Sequence, residues 1–115
     1  MHKTKQAARA TEVASQDEPG QFTAGMFQEA VNRHRLGQLA QAEALYRAII
    51  AIHPAPADAS YNLGLLLQTE RRYPDAEIAY RHAITIRPDY VEALSNLGTV
   101  LQELRRFDEA IEIYR

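Results

Sequence analysis

The chain repeats itself every 34 residues, and this repeat constrains the fold more than any other feature. Tyrosines recur at that spacing at Tyr46, Tyr80 and Tyr114. The tripeptide Asn-Leu-Gly occurs at 62–64 and again at 96–98. A fixed period between about 20 and 50 residues is typical of a solenoid, in which each unit packs mainly against its neighbours. The sequence therefore predicts a stack of similar units that begins near residue 22.

Each unit has the pattern of two amphipathic helices. In the central unit, apolar residues follow helical spacing over 57–70 and again over 74–87. Pro88 cannot continue the second helix, and Asp89 is placed to cap the helix that follows. Gly37 is expected to form the turn inside the first unit, where the later units carry arginine pairs. The pattern predicts an all-α fold of antiparallel helix pairs.

The N-terminal segment differs from the repeats in composition. Residues 1–21 hold charged and small side chains, few large apolar ones, and a Pro19-Gly20 pair that is expected to mark a break. Such a segment buries too little apolar area to offset its ordering entropy, so we expect a flexible or weakly helical leader. The first unit, with a diverged first helix, is placed at 22–56, the second at 57–90, and an incomplete third at 91–115.

The repeated residues resemble the tetratricopeptide repeat (TPR) family. The family pattern requires a large residue, Leu-Gly, aromatic residues, alanines and a proline at set offsets; the second unit departs from it at Ser60, and the first carries Ala30 in place of glycine. The resemblance implies a right-handed α-α superhelix in which small residues allow close helix contact and tyrosines fill the gap between neighbouring units. The matching residues are Leu63, Gly64, Ala76, Tyr80, Ala83, Pro88, Leu97, Gly98, Ala110 and Tyr114.

By this resemblance, the first helices of successive units line a concave groove that binds protein partners. Asn62 and Asn96 share one offset there, and an asparagine amide can bind a peptide backbone as both donor and acceptor. The pair resembles the asparagine ladder of O-linked N-acetylglucosamine transferases; the alternative is a polar residue on a solvated helix face. The groove residues expected to contact a partner are Asn62, Asn96, Leu65, Thr69, Thr99, Glu103, Phe27, Gln28, Val31 and Arg35.

Residues for catalysis or metal binding are not grouped in the sequence. The chain has no cysteine, its four histidines are scattered, and its five glycines are isolated, which excludes thiolate chemistry and argues against a zinc site or a phosphate loop. We therefore expect no enzyme activity, no cofactor and no catalytic residue. The net charge of −2 lacks the basic footprint of a nucleic-acid-binding protein, and no apolar run could span a membrane. A cytoplasmic location is expected.

Three functions remain open at this point. The first is a protein-interaction module, although acidic groove residues such as Glu92 and Glu103 would repel the acidic tail that some TPR proteins clamp. The second is a substrate-recruiting segment of a larger glycosyltransferase of the O-linked N-acetylglucosamine type. The third is a self-assembly unit, a homo-oligomer formed through an open C-terminal end. Apolar residues expected to be partly uncovered at that end are Leu94, Leu97, Leu101, Leu104, Phe107 and Ile111.

Overall fold

The computed structural model describes residues 19–52 and 55–115, and its side chains from Ala24 onward. Six α-helices lie in this part of the chain and form three consecutive pairs, each joined by a short turn. Each helix packs mainly against the helices before and after it in the sequence. The helices are α1 (Pro19–Arg35), α2 (Leu39–Ile50), α3 (Ala57–Thr69), α4 (Tyr73–Ile86), α5 (Val91–Glu103) and α6 (Phe107–Tyr114).

The all-α expectation is confirmed, and the two central helices begin and end within one residue of their predicted bounds. The start of the first helix was predicted wrongly. Helix α1 begins at Pro19, so the Pro19-Gly20 pair lies in the first turn instead of marking a break before residue 22. Proline suits a first turn because its missing amide hydrogen would have no helical partner there. Residues 1–18 of the expected leader lie outside the described residues.

The turn inside each pair has the same backbone geometry. Gly37, Arg71 and Arg105 each adopt a positive φ, of 78°, 61° and 65°. The amide of the residue after each donates to the carbonyl five residues earlier, at 2.8 to 2.9 Å, which satisfies carbonyls left open at the end of the helix. A left-handed conformation costs a non-glycine residue about 1–2 kcal/mol, so only the first of the three turns has the residue best suited to it.

We expect Gly37→Ala to lower the free energy of unfolding by about 1–2 kcal/mol, because alanine pays the left-handed penalty. Gly25→Ala is the matched control, since Gly25 lies within α1 and a Cβ there would meet no other atom within 4 Å. Alanine favours a helix interior by about 1 kcal/mol over glycine, so this control should be stabilised. Urea unfolding of both variants checks the prediction, and shifts in the same direction would contradict it.

The core lies between the helices of each pair and is closed by tyrosines over glycines. A Cβ built on Gly64 would lie 2.5 to 2.8 Å from the ring of Tyr80, and Gly98 is covered in the same way by Tyr114. We expected these tyrosines to fill the gap between neighbouring units. Instead each ring packs first on the glycine of its own unit, because only a residue without a side chain leaves room for it. Tyr80 is fully buried.

Helix α5 begins without the predicted cap. Its N-cap residue is Tyr90, no side chain caps it, and Asp89 lies in the preceding turn. The assignment of Asp89 as the cap was therefore wrong. The Tyr90 ring is buried against Tyr61, with ring centroids 4.9 Å apart, so packing of this ring, and not a capping side chain, fixes where the helix starts.

A carboxylate at a repeated position joins successive units. Glu43 accepts a hydrogen bond from Arg72 of the next unit at 2.8 Å, and Glu77 accepts one from Arg106 at 2.6 Å. The hydrogen bond from Arg72 holds the pKa of the Glu43 carboxyl below its usual range. In the third unit this position is Ile111, whose side chain is 53% exposed. The outer face of α6 therefore lacks the acceptor that the other two units offer to a following unit.

Candidate peptide-binding groove

The candidate groove is the face of α1, α3 and α5 that carries Asn62 and Asn96, both half-buried. Each asparagine lies beside a tyrosine hydroxyl of the preceding unit, Asn62 beside Tyr46 and Asn96 beside Tyr80. The amide of Asn96 also donates to the hydroxyl of Tyr61 at 3.2 Å. The two amides thus bridge neighbouring units, and their remaining hydrogen-bonding capacity is available to a ligand.

The tyrosine hydroxyls in this layer are neutral donors. Burial raises the pKa of Tyr46 and, more strongly, that of Tyr80. The Tyr80 hydroxyl donates to the side-chain oxygen of Gln68 at 2.6 Å. His34 lies 3.1 Å from the Tyr46 hydroxyl through Nδ1, and burial lowers its pKa. The layer beneath the groove is therefore a network of uncharged polar groups at neutral pH.

The other predicted groove residues differ in how far they reach solvent. Thr69 and Thr99 each donate to the carbonyl four residues earlier in their own helix, at 2.9 and 3.3 Å. Phe27 packs against Tyr46 with ring centroids 6.3 Å apart. Partial burial is shared by Phe27, Val31, Leu65 and Thr99, and full exposure by Gln28, Arg35, Thr69 and Glu103.

The sequence analysis missed two aromatic residues next to the asparagines. Tyr61 and Tyr90 stack near the N-terminal ends of α3 and α5. The Tyr90 hydroxyl donates to Asp58 at 2.5 Å, and the Arg87 guanidinium lies 3.8 Å above the Tyr90 ring. A sequence signal for Tyr61 did exist, because it stands 34 residues after Phe27.

A cavity of about 520 Å³ opens beside these two rings. Aromatic and charged side chains share its wall, which gives it a mixed character. It is lined by Asp58, Tyr61, Arg87, Asp89, Tyr90, Val91 and Glu92. Because Tyr61 is bonded to Asn96, the cavity is continuous with the asparagine face.

A second cavity, of about 200 Å³, lies where α2, α3 and α4 meet, and its lining includes Ser60, Ile78 and His82. Ser60 is fully buried and its hydroxyl lies 2.6 Å from Nδ1 of His82. Ser60 departs from the large residue of the repeat pattern, where the third unit has Leu94, so the smaller side chain leaves this space. A fully buried hydroxyl has no access to a substrate, and the serine–histidine contact is structural.

Two kinds of feature were sought across the described part of the chain. Within residues 19–52 and 55–115, no three histidine or acidic side chains are grouped as metal ligands. No helix in these residues is both long and apolar enough to cross a bilayer.

Three stacked helix pairs with one face carrying repeated asparagines define a helical-repeat solenoid. Residues 57–115 match the tetratricopeptide repeat family model. The chain belongs to the tetratricopeptide repeat family. None of the curated proteins matches it.

Several solved structures share the fold. The second TPR domain of Spaghetti (RPAP3), bound to the HSP90 peptide SRMEEVD, is 22% identical with a TM-score of 0.75, over 80% of this chain and 85% of that one. PcrH in complex with the chaperone binding region of PopB is 15% identical with a TM-score of 0.75, over 82% and 76% of the two chains. MamA is 23% identical with a TM-score of 0.76, and this chain covers 54% of its length against 80% of its own.

Proposed function

We propose that the asparagine face of α1, α3 and α5 binds an extended segment of a partner protein. The observation that carries the proposal is the pair Asn62 and Asn96, which repeat at one offset, stay partly exposed and lie beside the aromatic residues of the same face. Domains of the same fold in the Spaghetti and PcrH structures hold peptide segments of other proteins, which supports this kind of ligand. TPR domains are generally interaction modules without catalytic activity.

The asparagines alone would give weak binding. A hydrogen bond contributes about 0.5–1.5 kcal/mol net, so two supply roughly 1–3 kcal/mol, whereas a millimolar complex needs about 4 kcal/mol. The remainder must come from contact with the aromatic and apolar side chains of the face, Phe27, Tyr61 and Leu65. A peptide with backbone groups exposed and one or two large side chains meets both requirements.

We expect Asn62→Ala combined with Asn96→Ala to weaken binding of an extended peptide about tenfold, because both backbone contacts are lost. Asn32→Ala is the matched control, since Asn32 is exposed on α1 outside the asparagine face. Calorimetric titration measures the affinity, and thermal melts account for the lost contacts to tyrosine hydroxyls. An affinity unchanged by the double substitution would dismiss the asparagine face as the binding surface.

The alternative of a recruiting segment in a larger glycosyltransferase rests on the asparagine ladder alone. The comparisons add no support to it, since the matched family model covers the repeat itself. An α/β catalytic region encoded downstream of Arg115 would revive this alternative.

A second candidate function, self-assembly through α6, is favoured by the exposure of its outer face. Phe107, Ile111 and Tyr114 are 52%, 53% and 50% exposed. Two leucines that we expected to be partly uncovered, Leu97 and Leu101, are instead buried, because α5 lies between α4 and α6. The exposed apolar area is therefore confined to α6.

The opposite end of the stack has a different character. Glu29 and Asn32 of α1 are exposed and stand 34 residues before the buried Leu63 and Leu66. A polar face of this kind does not complement the apolar face of α6, so head-to-tail stacking of copies is disfavoured. Two copies would meet instead through α6 in a two-fold arrangement.

A further inference from the structure

The cavity beside Tyr61 carries a charge pattern that selects among peptides. Its lining holds three carboxylates, Asp58, Asp89 and Glu92, and one guanidinium, Arg87. Asp58 is already engaged, because Arg87 donates to it at 2.9 Å and the Tyr90 hydroxyl bonds the same oxygen. The charge of the lining is therefore not balanced from within.

Asp89 and Glu92 supply the excess negative charge. Both are exposed, and neither has a hydrogen bond or an ion pair to another of the described residues. Neither caps α5 through its side chain. Because these carboxylates have no structural partner there, their charge is open to a ligand in the cavity.

The chain's own arginine demonstrates the pairing that the cavity favours. The Arg87 guanidinium lies flat against one aromatic ring at 3.8 Å while it binds the Asp58 carboxylate at 2.9 Å. A cation over an aromatic face is attracted by the ring quadrupole. Tyr61, beside Glu92 in the same lining, offers a second ring and a second carboxylate.

We infer that this cavity receives an arginine side chain of the partner segment, stacked on Tyr61 and paired with Glu92 and Asp89. Arginine fits better than lysine because a planar guanidinium can stack on the ring and bind a carboxylate in a fork at once. Binding along the asparagines places the ligand here, since Asn96 is bonded to Tyr61 at 3.2 Å. The inference rests on the proposed function and adds the charge class of the ligand, which excludes acidic segments.

Three labelled nonapeptides test this inference. Each consists of alternating Thr and Val with blocked ends, and the central residue is Arg, Gln or Glu. Fluorescence anisotropy gives the affinity for the whole chain. We expect the Arg peptide to bind about tenfold more tightly than the Gln peptide, and the Glu peptide to bind most weakly.

Substitution of the unpaired carboxylates should remove this preference. In Asp89→Asn with Glu92→Gln, we expect the Arg and Gln peptides to differ by less than about threefold. Asp108→Asn with Glu112→Gln makes the same charge change on α6, outside the cavity, and should keep the preference. An equal loss of preference in both double variants would show a general charge effect and overturn the inference.

The remaining outcomes separate the inference from the proposed function. Equal affinity of the three peptides for the parent chain, lost in Asn62→Ala with Asn96→Ala, would overturn the arginine site and leave groove binding intact. Absence of binding by any of the three at millimolar concentration would overturn both.

Discussion

Gly64→Ala should lower the free energy of unfolding by about 2–3 kcal/mol, at the upper end of the overpacking range. The new Cβ would lie 2.5 to 2.8 Å from three atoms of the Tyr80 ring. That ring cannot withdraw, because Tyr80 is fully buried and its hydroxyl is held by Gln68 at 2.6 Å. Urea unfolding monitored by circular dichroism measures the loss.

Gly98→Ala is the natural comparison for this substitution. The facing ring, Tyr114, is 50% exposed and lies at the end of α6, so it can turn toward solvent. Its cost should fall below about 1 kcal/mol, since alanine also favours the helix. A second check is Gly64→Ala in a Tyr80→Leu background, where the clash is absent and the penalty should largely vanish. Equal losses at Gly64 and Gly98 would contradict the explanation.

Ile111→Glu should convert a two-fold dimer into a monomer. Half-exposed Ile111 would be buried twice in the dimer, and full burial of one such side chain is worth about 1.5–3 kcal/mol. The substitution also restores the carboxylate that units one and two carry at Glu43 and Glu77, and two like charges would then meet across the axis. We expect the dissociation constant to rise at least about 100-fold. Light scattering after size exclusion at micromolar concentration measures it.

Ile78→Glu controls for the loss of an exposed isoleucine. Ile78 is 68% exposed on α4, away from the outer face of α6, and its replacement should leave the dimer intact. A parent chain that stays monomeric and folds cooperatively would contradict self-assembly. Dimers that resist Ile111→Glu but not Ile78→Glu would place the interface on α4 instead.

The period of the sequence was sufficient to predict the helix pairs but not the environment of each unit. Tyr80 and Tyr114 occupy one repeat position, yet one is fully buried and the other half-exposed. The difference arises because α5 covers the outer side of α4, whereas nothing among the described residues covers α6. A repeat pattern records which residues are alike and does not record which of them have a neighbour.

The candidate site was predicted only in part for a related reason. Asn62 and Asn96 were found because they repeat, but Tyr61 was missed because the third unit has Ser95 at that position. Tyr90 was missed because Asp89 has the side chain typical of a cap, whereas burial of the Tyr90 ring determines where α5 begins. Features that one unit alone carries leave no periodic signal, and they shape the cavity.

Nuclear magnetic resonance of the isotope-labelled chain, titrated with the Arg nonapeptide, tests the central claim most directly. Side-chain amide signals of Asn62 and Asn96 report on the very groups proposed to bind the peptide backbone. We predict that these signals and the backbone amide of Tyr61 shift most, while those of Ile78 and His82, which line the separate cavity between α2, α3 and α4, stay in place. Shifts confined to Ile78 and His82, with the asparagine amides unmoved, would contradict binding at the asparagine face.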